Sequence, residues 1–124
     1  MTIQEQFEQL ENTVRSYNPA ADFAQIRAAF EFAERSHAGQ KRKSGEPYII
    51  HPLAVAQIVA EELKLDSESI EAALLHDVIE DTPATHEEVS RLFSPTIADL
   101  VEGVSKLTRI QYATKEDEQM ENLR

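Results

Sequence analysis

Apolar residues recur along most of this chain at intervals of three and four, the spacing of one face of an α-helix, and short polar, Pro- or Gly-containing breaks separate the runs. The first run covers residues 3–17, with Phe7, Leu10 and Val14 on one stripe, and stops at Asn18-Pro19. The second covers about 21–37, turns Phe23, Ile26, Phe30 and Ala33 inward, and meets a plausible C-terminal cap in Gly39. A third helix over 52–65 opens on Pro52, which suits a first helical turn, and buries Leu53, Val55, Ala56, Ile58 and Val59. The fourth, over 67–81, is capped by Asp66 or Ser67 and must end near Asp81, because Pro83 disfavours helical geometry at Thr82. Thr85-His86-Glu87-Glu88 reads as a capping box for a fifth helix over 85–93. A sixth over 95–108 carries Ile97, Leu100, Val101, Val104 and Leu107, and a seventh spans 115–124. No stretch alternates with the period of a strand. The pattern predicts an all-α domain of orthogonally packed helices. Arg124 is reached mid-turn with no cap, Gly or Pro, which suggests a domain truncated at its C-terminus.

Composition narrows the setting. A chain of 124 residues has room for one core. With 12 basic and 23 acidic residues the formal charge is 12 − 23 = −11, a surface that repels nucleic acid and anionic lipid. Lys41-Arg42-Lys43 runs against that trend, so an anionic ligand must be attracted locally, by this segment or by a metal cation. Cysteine is absent, which excludes disulfides, thiolate nucleophiles and Cys-based zinc sites. The N-terminus lacks the basic start and apolar run of a secretory signal, and no apolar segment approaches the roughly 18 residues of a membrane span. A cytoplasmic protein is expected.

The candidate chemistry sits in the fourth helix. Ile70, Ala72, Ala73, Leu74, Leu75, Val78 and Ile79 make it apolar on nearly every side, so it belongs in the core, yet it carries His76, Asp77, Glu80 and Asp81. Helical spacing pairs His76 with Glu80 and Asp77 with Asp81. Burying unpaired carboxylates costs several kcal/mol each (on the order of the desolvation penalty), and like charges this close repel. A divalent cation held by deprotonated carboxylate and neutral imidazole compensates both costs. His51, at the start of the third helix, is the best further ligand. Nitrogen and oxygen donors without thiolate suit Mn, Fe, Mg or Zn alike. Glu80 and Asp81, one turn on, are placed to orient or deprotonate a water. The segment Lys41 to Tyr48 precedes His51 and must lie near it. Arg42 can stack on a purine or fork onto phosphate, Lys43 adds positive potential, and Ser44 can hydrogen-bond a base edge. His37, ending a helix, and His86, inside a capping box, read as structural.

Three blocks together, HAGQKRKSGEPYIIHP at 37–52, ALLHDVIEDT at 73–82 and GVSKLTRI at 103–110, resemble the HD hydrolase domain of the Rel/Spo family of (p)ppGpp synthetase/hydrolases. That resemblance implies an HD-type helical bundle and hydrolysis of the 3′-pyrophosphate of ppGpp or pppGpp to GDP or GTP and pyrophosphate. It further implies a Mn2+ ion held by His51, His76 and Asp77, with Glu80 and Asp81 positioning the nucleophilic water. Arg42, Lys43 and Ser44 would contact the guanine nucleotide. A fourth ligand, an Asp in a downstream A-D-R-L-H-N motif, is implied too, and this sequence contains no such motif; Asp99 and Asp117 lack its context. The expectation is a hydrolase fragment with weak metal binding and low activity, from a parent in which a synthetase domain can follow. The competing readings are an HD phosphohydrolase for another nucleotide, against which the RKSGEP block argues, and a catalytically silent HD module used for regulation, against which Glu80 and Asp81 argue.

Overall fold

The computed structural model describes residues 1–104. Helix α1 (Ile3–Tyr17) opens on a reciprocal capping box: the Thr2 hydroxyl accepts from the Glu5 amide, and the Glu5 carboxylate accepts from the Thr2 amide, both at 3.0 Å. Helix α2 (Phe23–Ser36) is capped by Asp22, α4 (Ser67–Leu75) by Asp66 and α6 (His86–Leu92) by Thr85, each accepting from the amide three residues on. Helix α3 (Ile50–Ile58) begins two residues before Pro52, which sits in the first turn, where amides have no partner inside the helix. Helix α5 (Val78–Asp81) is a single turn, and a final helix, α7, covers residues 95–104. The expected seventh helix over 115–124, and the end of the sixth with Leu107, lie outside the described residues.

Two expected elements differ in form. The third helix does not run unbroken to Leu65: after Ile58 it continues as a π-helical turn, Val59–Leu63, and Lys64 stops it in the left-handed conformation at φ 49°. The fourth does not run through to Asp81, and its break creates the candidate site. Residues 40–48, expected to be non-helical, fold back as a tight loop. The Gly45 amide donates to the Arg42 carbonyl and the Arg42 amide to the Glu46 carbonyl, both at 2.8 Å, with a bridge between Lys41 and Pro47. Gly45 at φ +89° supplies the positive φ that the return demands.

Helix α4 lies at the centre, against α2 on one side and α3 on the other, and α1 packs on α3 and its π-helical turn. Phe7 of α1 stacks on Phe30 of α2, centroids 4.4 Å apart, and Phe32 meets Phe93 edge-on at 5.8 Å. The predicted inward residues Phe7, Leu10, Val14, Ile26, Phe30, Ala33, Leu53, Ala56, Ile97 and Val101 are buried. Ile58, expected inside, is instead 58% exposed, and Leu100 and Val104 are exposed on α7. Polar ties lock the joints: Tyr17 Oη donates to the Leu65 carbonyl at 2.7 Å, and the Asp22 amide donates to Ser67 Oγ at 3.1 Å. Among the described residues no helix is long and apolar enough to cross a membrane.

Candidate metal and nucleotide site

The geometry begins with one carbonyl. In an uninterrupted helix the Ala73 carbonyl would accept from the Asp77 amide four residues later. Here it accepts instead from His76, from the ring Nδ1 at 2.7 Å and the backbone amide at 3.5 Å. A side chain that competes for a ladder acceptor breaks the ladder. Helix α4 therefore ends at Leu75, Asp77 sits at φ −98°, ψ −4°, and α5 restarts at Val78. The break aims His76 Nε2 and the Asp77 carboxylate at the start of α3, where His51 waits.

His76 Nε2 lies 3.1 Å from Asp77 Oδ2, and His51 Nε2 lies 3.5 Å from the same oxygen. One donor atom from each of the three residues falls within 4.8 Å of the other two. With Nδ1 of His76 committed to the Ala73 carbonyl, Nε2 is the nitrogen left to face the cluster, the arrangement in which a backbone carbonyl fixes the tautomer of a ligating imidazole. Burial holds the His51 pKa below its ordinary value, and the neighbouring His76, Arg42 and His37 add to this against the pull of Asp77. His51 is thus neutral near pH 7, with a lone pair to offer. Burial also opposes charge on His76, but the Asp77 and Ala73 hydrogen bonds outweigh it and hold its pKa above the ordinary value. Burial raises the Asp77 carboxyl, yet hydrogen bonds from His76 and Tyr48 bring it below the ordinary value. Two imidazoles and a carboxylate converging in a half-buried pocket fit a divalent cation, which would replace the proton that His76 Nε2 shares with Asp77.

Glu80 and Asp81 do not share that pocket. Both are exposed, on the solvent side of the α5 turn whose Val78 and Ile79 face the core. The expectation of four ionisable groups crowded in a dry interior therefore holds for His76, which is 5% exposed, and in part for Asp77, but not for the last two. Asp81 rejoins the cluster through Tyr48: the phenol lies 2.8 Å from Asp77 Oδ2 and 3.3 Å from Asp81 Oδ2. Burial, and then those two carboxylates, push the Tyr48 pKa up, so the hydroxyl keeps its proton and donates.

Lys41, Arg42, Lys43, Ser44 and Tyr48 line an open cleft of about 620 Å³. That volume suits a nucleotide-sized ligand. The basic loop and the His/Asp cluster thus meet at one side chain.

Sequence reasoning missed Tyr48, and it set His37 aside. His37 is 3% exposed, its ring centroid lies 4.6 Å from that of Tyr48, and its Nδ1 is 2.9 Å from Gln40 Oε1. A tyrosine one turn before a ligating histidine was the available signal. A second His/carboxylate group joins α6 to α7, with His86 Nε2 3.0 Å from Asp99 Oδ1 and 3.6 Å from Glu102 Oε2. Its carboxylates are solvated, and it pins two surface helices.

A family model described as HD domain matches residues 29–124. The bifunctional (p)ppGpp synthase/hydrolase SpoT of Escherichia coli (strain K12) is 51% identical over 118 residues, which is 95% of this chain and 17% of that protein. A guanosine-3′,5′-bis(diphosphate) 3′-pyrophosphohydrolase of Aquifex aeolicus (strain VF5) is 50% identical over 117 residues, 94% of this chain and 16% of that one. A GTP pyrophosphokinase of Myxococcus xanthus is 49% identical over 115 residues, 90% of this chain and 15% of that one. These curated relatives are several times longer than the chain. The solved structure of a metazoan ortholog of SpoT, described as hydrolysing ppGpp and playing a role in starvation responses, matches at TM-score 0.61 and 36% identity. It covers 64% of this chain and 46% of that one.

Proposed function

The chain belongs to the HD domain family, and from that premise we propose that it carries the metal-dependent hydrolase site for the 3′-pyrophosphate of ppGpp and pppGpp. The observation that carries the reading is the meeting, at Tyr48, of a His51–His76–Asp77 donor set with a cleft lined by Arg42, Lys43 and Ser44. Over nearly the whole length of the chain, about half of its residues are identical to those of relatives named for this reaction, in a segment that makes up 16–17% of those proteins.

His51, His76 and Asp77 would hold the cation, Mn2+ being the ion this reading favours. When bound, a divalent cation supplies positive charge and Lewis acidity to phosphoryl chemistry. Arg42 and Lys43 bind the guanine nucleotide through its ring and phosphates, and Ser44 hydrogen-bonds the base. A water oxygen joins the phosphorus attached to the 3′ oxygen, and the bond from that phosphorus to the 3′ oxygen breaks. The released pyrophosphate carries the new oxygen, and a proton ends on the 3′ hydroxyl of GDP or GTP. Asp81 and Glu80, at the solvated rim, orient the water and accept its proton. A synthetase domain elsewhere in the parent protein would run the opposite chemistry.

Incubation of the longer parent protein with ppGpp, with and without Mn2+, followed by assay of pyrophosphate, tests this. Mn2+-dependent release that is lost by at least about 100-fold in His76→Ala is expected, as for removal of a ligand together with its oriented shell. Metal-dependent release undiminished in that variant would overturn the reading. Residues 1–124 hold three of the four ligands that the resemblance implies, so Mn2+ should raise their melting temperature only slightly. A large rise would show that three ligands suffice.

A further inference from the structure

Tyr48 belongs to both halves of the site. It lines the cleft beside Lys41 to Ser44, and its hydroxyl stands between Asp77 and Asp81, the shorter contact going to Asp77. Two carboxylates facing one point repel each other, and a proton donor shared between them is what allows the approach.

The ring is itself held from behind. The Asp81 carbonyl can only accept, so the Gln40 side chain, 2.7 Å away, must present its NH2 to it, and its oxygen therefore faces His37. His37 Nδ1 must then carry the proton, and its Nε2 is left buried with no protein hydrogen-bond partner. An imidazole kept in that state at the C-terminus of α2 serves as a platform: its ring lies 4.6 Å from the Tyr48 ring, tilted by 33°. Gln40 meanwhile ties the end of α5 to the same platform.

We propose that Tyr48 is a positioning residue of the phosphohydrolase site, its hydroxyl setting Asp77 relative to Asp81 while its ring, seated on His37, registers both against the Arg42–Ser44 loop. This rests on the function proposed above. Tyr48 touches neither the reacting atoms nor the cation in this account; it acts through the two aspartates. A hydroxyl that orients a ligating carboxylate belongs to the outer shell of a metal site, and loss of such a partner typically weakens metal affinity or activity by about 10- to 100-fold.

Tyr48→Phe keeps the ring and removes only the hydroxyl. Mn2+ affinity is read by calorimetry, kcat and KM for ppGpp by pyrophosphate release, and the melting temperature without metal by circular dichroism. The expected result is Mn2+ binding weakened by about 10- to 100-fold and kcat lowered to a similar degree. KM should stay within about two-fold and the metal-free melting temperature should be unchanged. Tyr48→Ala, which also removes the cleft wall, should raise KM in addition. Wild-type Mn2+ affinity and kcat in Tyr48→Phe would overturn the proposal and leave the hydrolase reading standing. A large fall in the metal-free melting temperature would make Tyr48 a structural residue and overturn it as well. These variants are compared in the longer parent protein, and a wild-type parent that neither binds Mn2+ nor releases pyrophosphate would remove the hydrolase reading, and the proposal with it.

Discussion

Glu71 is 1% exposed in the middle of α4, and its Oε1 has no protein hydrogen-bond partner. Burial, then repulsion from Asp22, Glu68 and Asp66, pushes its pKa up from 4.5 to about 7. A raised pKa means that the folded state holds the proton more tightly than the unfolded chain does. The associated stability is therefore complete below pH 4.5 and disappears as pH rises through about 7. At 1.36 kcal/mol per pKa unit the whole effect is at most about 3 kcal/mol. Urea unfolding at pH 5 and pH 8 should show wild type losing stability between them, whereas Glu71→Gln, which has no proton to lose, should change little and be the more stable protein at pH 8. Equal pH slopes for the two would refute the assignment. This residue shows one limit of what the sequence disclosed. Reading 67–81 by its apolar majority identified a core helix correctly but passed over the one carboxylate buried in it, while treating Glu80 and Asp81, which are exposed, as interior. Burial of an individual side chain depends on which neighbour covers it, and periodicity does not specify that.

Elements were more legible than side chains. Spacing located α1 and α2, and spacing with cap chemistry α4 and α6, to within a residue or two of their starts, because a Ser, Thr, Asp or Asn that captures a free amide acts locally. What escaped was the pair of departures from ideal α-helix. One is the π-helical turn before Lys64; the other is the break in which His76 takes the Ala73 carbonyl. Both depend on contacts that one-dimensional spacing does not register, and the second is what makes the site. That His51, His76 and Asp77 would come together was legible because they stand out by residue type; Tyr48 was not, because a half-buried tyrosine has an ordinary structural explanation. At this scale Asp66 carries a clear expectation. Hydrogen bonds from Ser69, side chain and then amide, lower its pKa, so the stability it adds is present above its ordinary value of 3.8 and is lost as pH falls through the lowered one. Asp66→Ala should cost about 1 kcal/mol at pH 7, the usual value of an N-cap, in thermal or urea unfolding. The gap to wild type should narrow as pH falls below 3.8, as protonation weakens the cap. A gap that stays constant to low pH would mean that the carboxylate charge contributes nothing.

Over the whole molecule, the function proposed above asks a chain of formal charge −11 to capture a nucleotide carrying several phosphate charges. Two electrostatic effects of opposite sign compete, and they differ in range. Repulsion from the acidic surface is summed over many solvated groups, and solvent ions screen it over a Debye length of about 10 Å at 0.1 M salt. Attraction from Arg42, Lys43 and the cation acts at contact, where intervening ions have little room to screen it. Added salt should therefore remove the unfavourable contribution before the favourable one. For a basic nucleotide-binding surface, affinity falls steeply with salt; here the dependence should be shallow, with KM for ppGpp changing by less than about three-fold between 0.05 and 0.3 M NaCl. Arg42→Gln should raise KM by about ten-fold at both ends of that range, since a charge-assisted contact contributes of the order of 1.5 kcal/mol wherever bulk screening stands. If the Arg42→Gln penalty vanished at 0.3 M NaCl, Arg42 would be steering the ligand from a distance and not gripping it. The cleft would then owe its selectivity to the donor cluster behind Tyr48 alone.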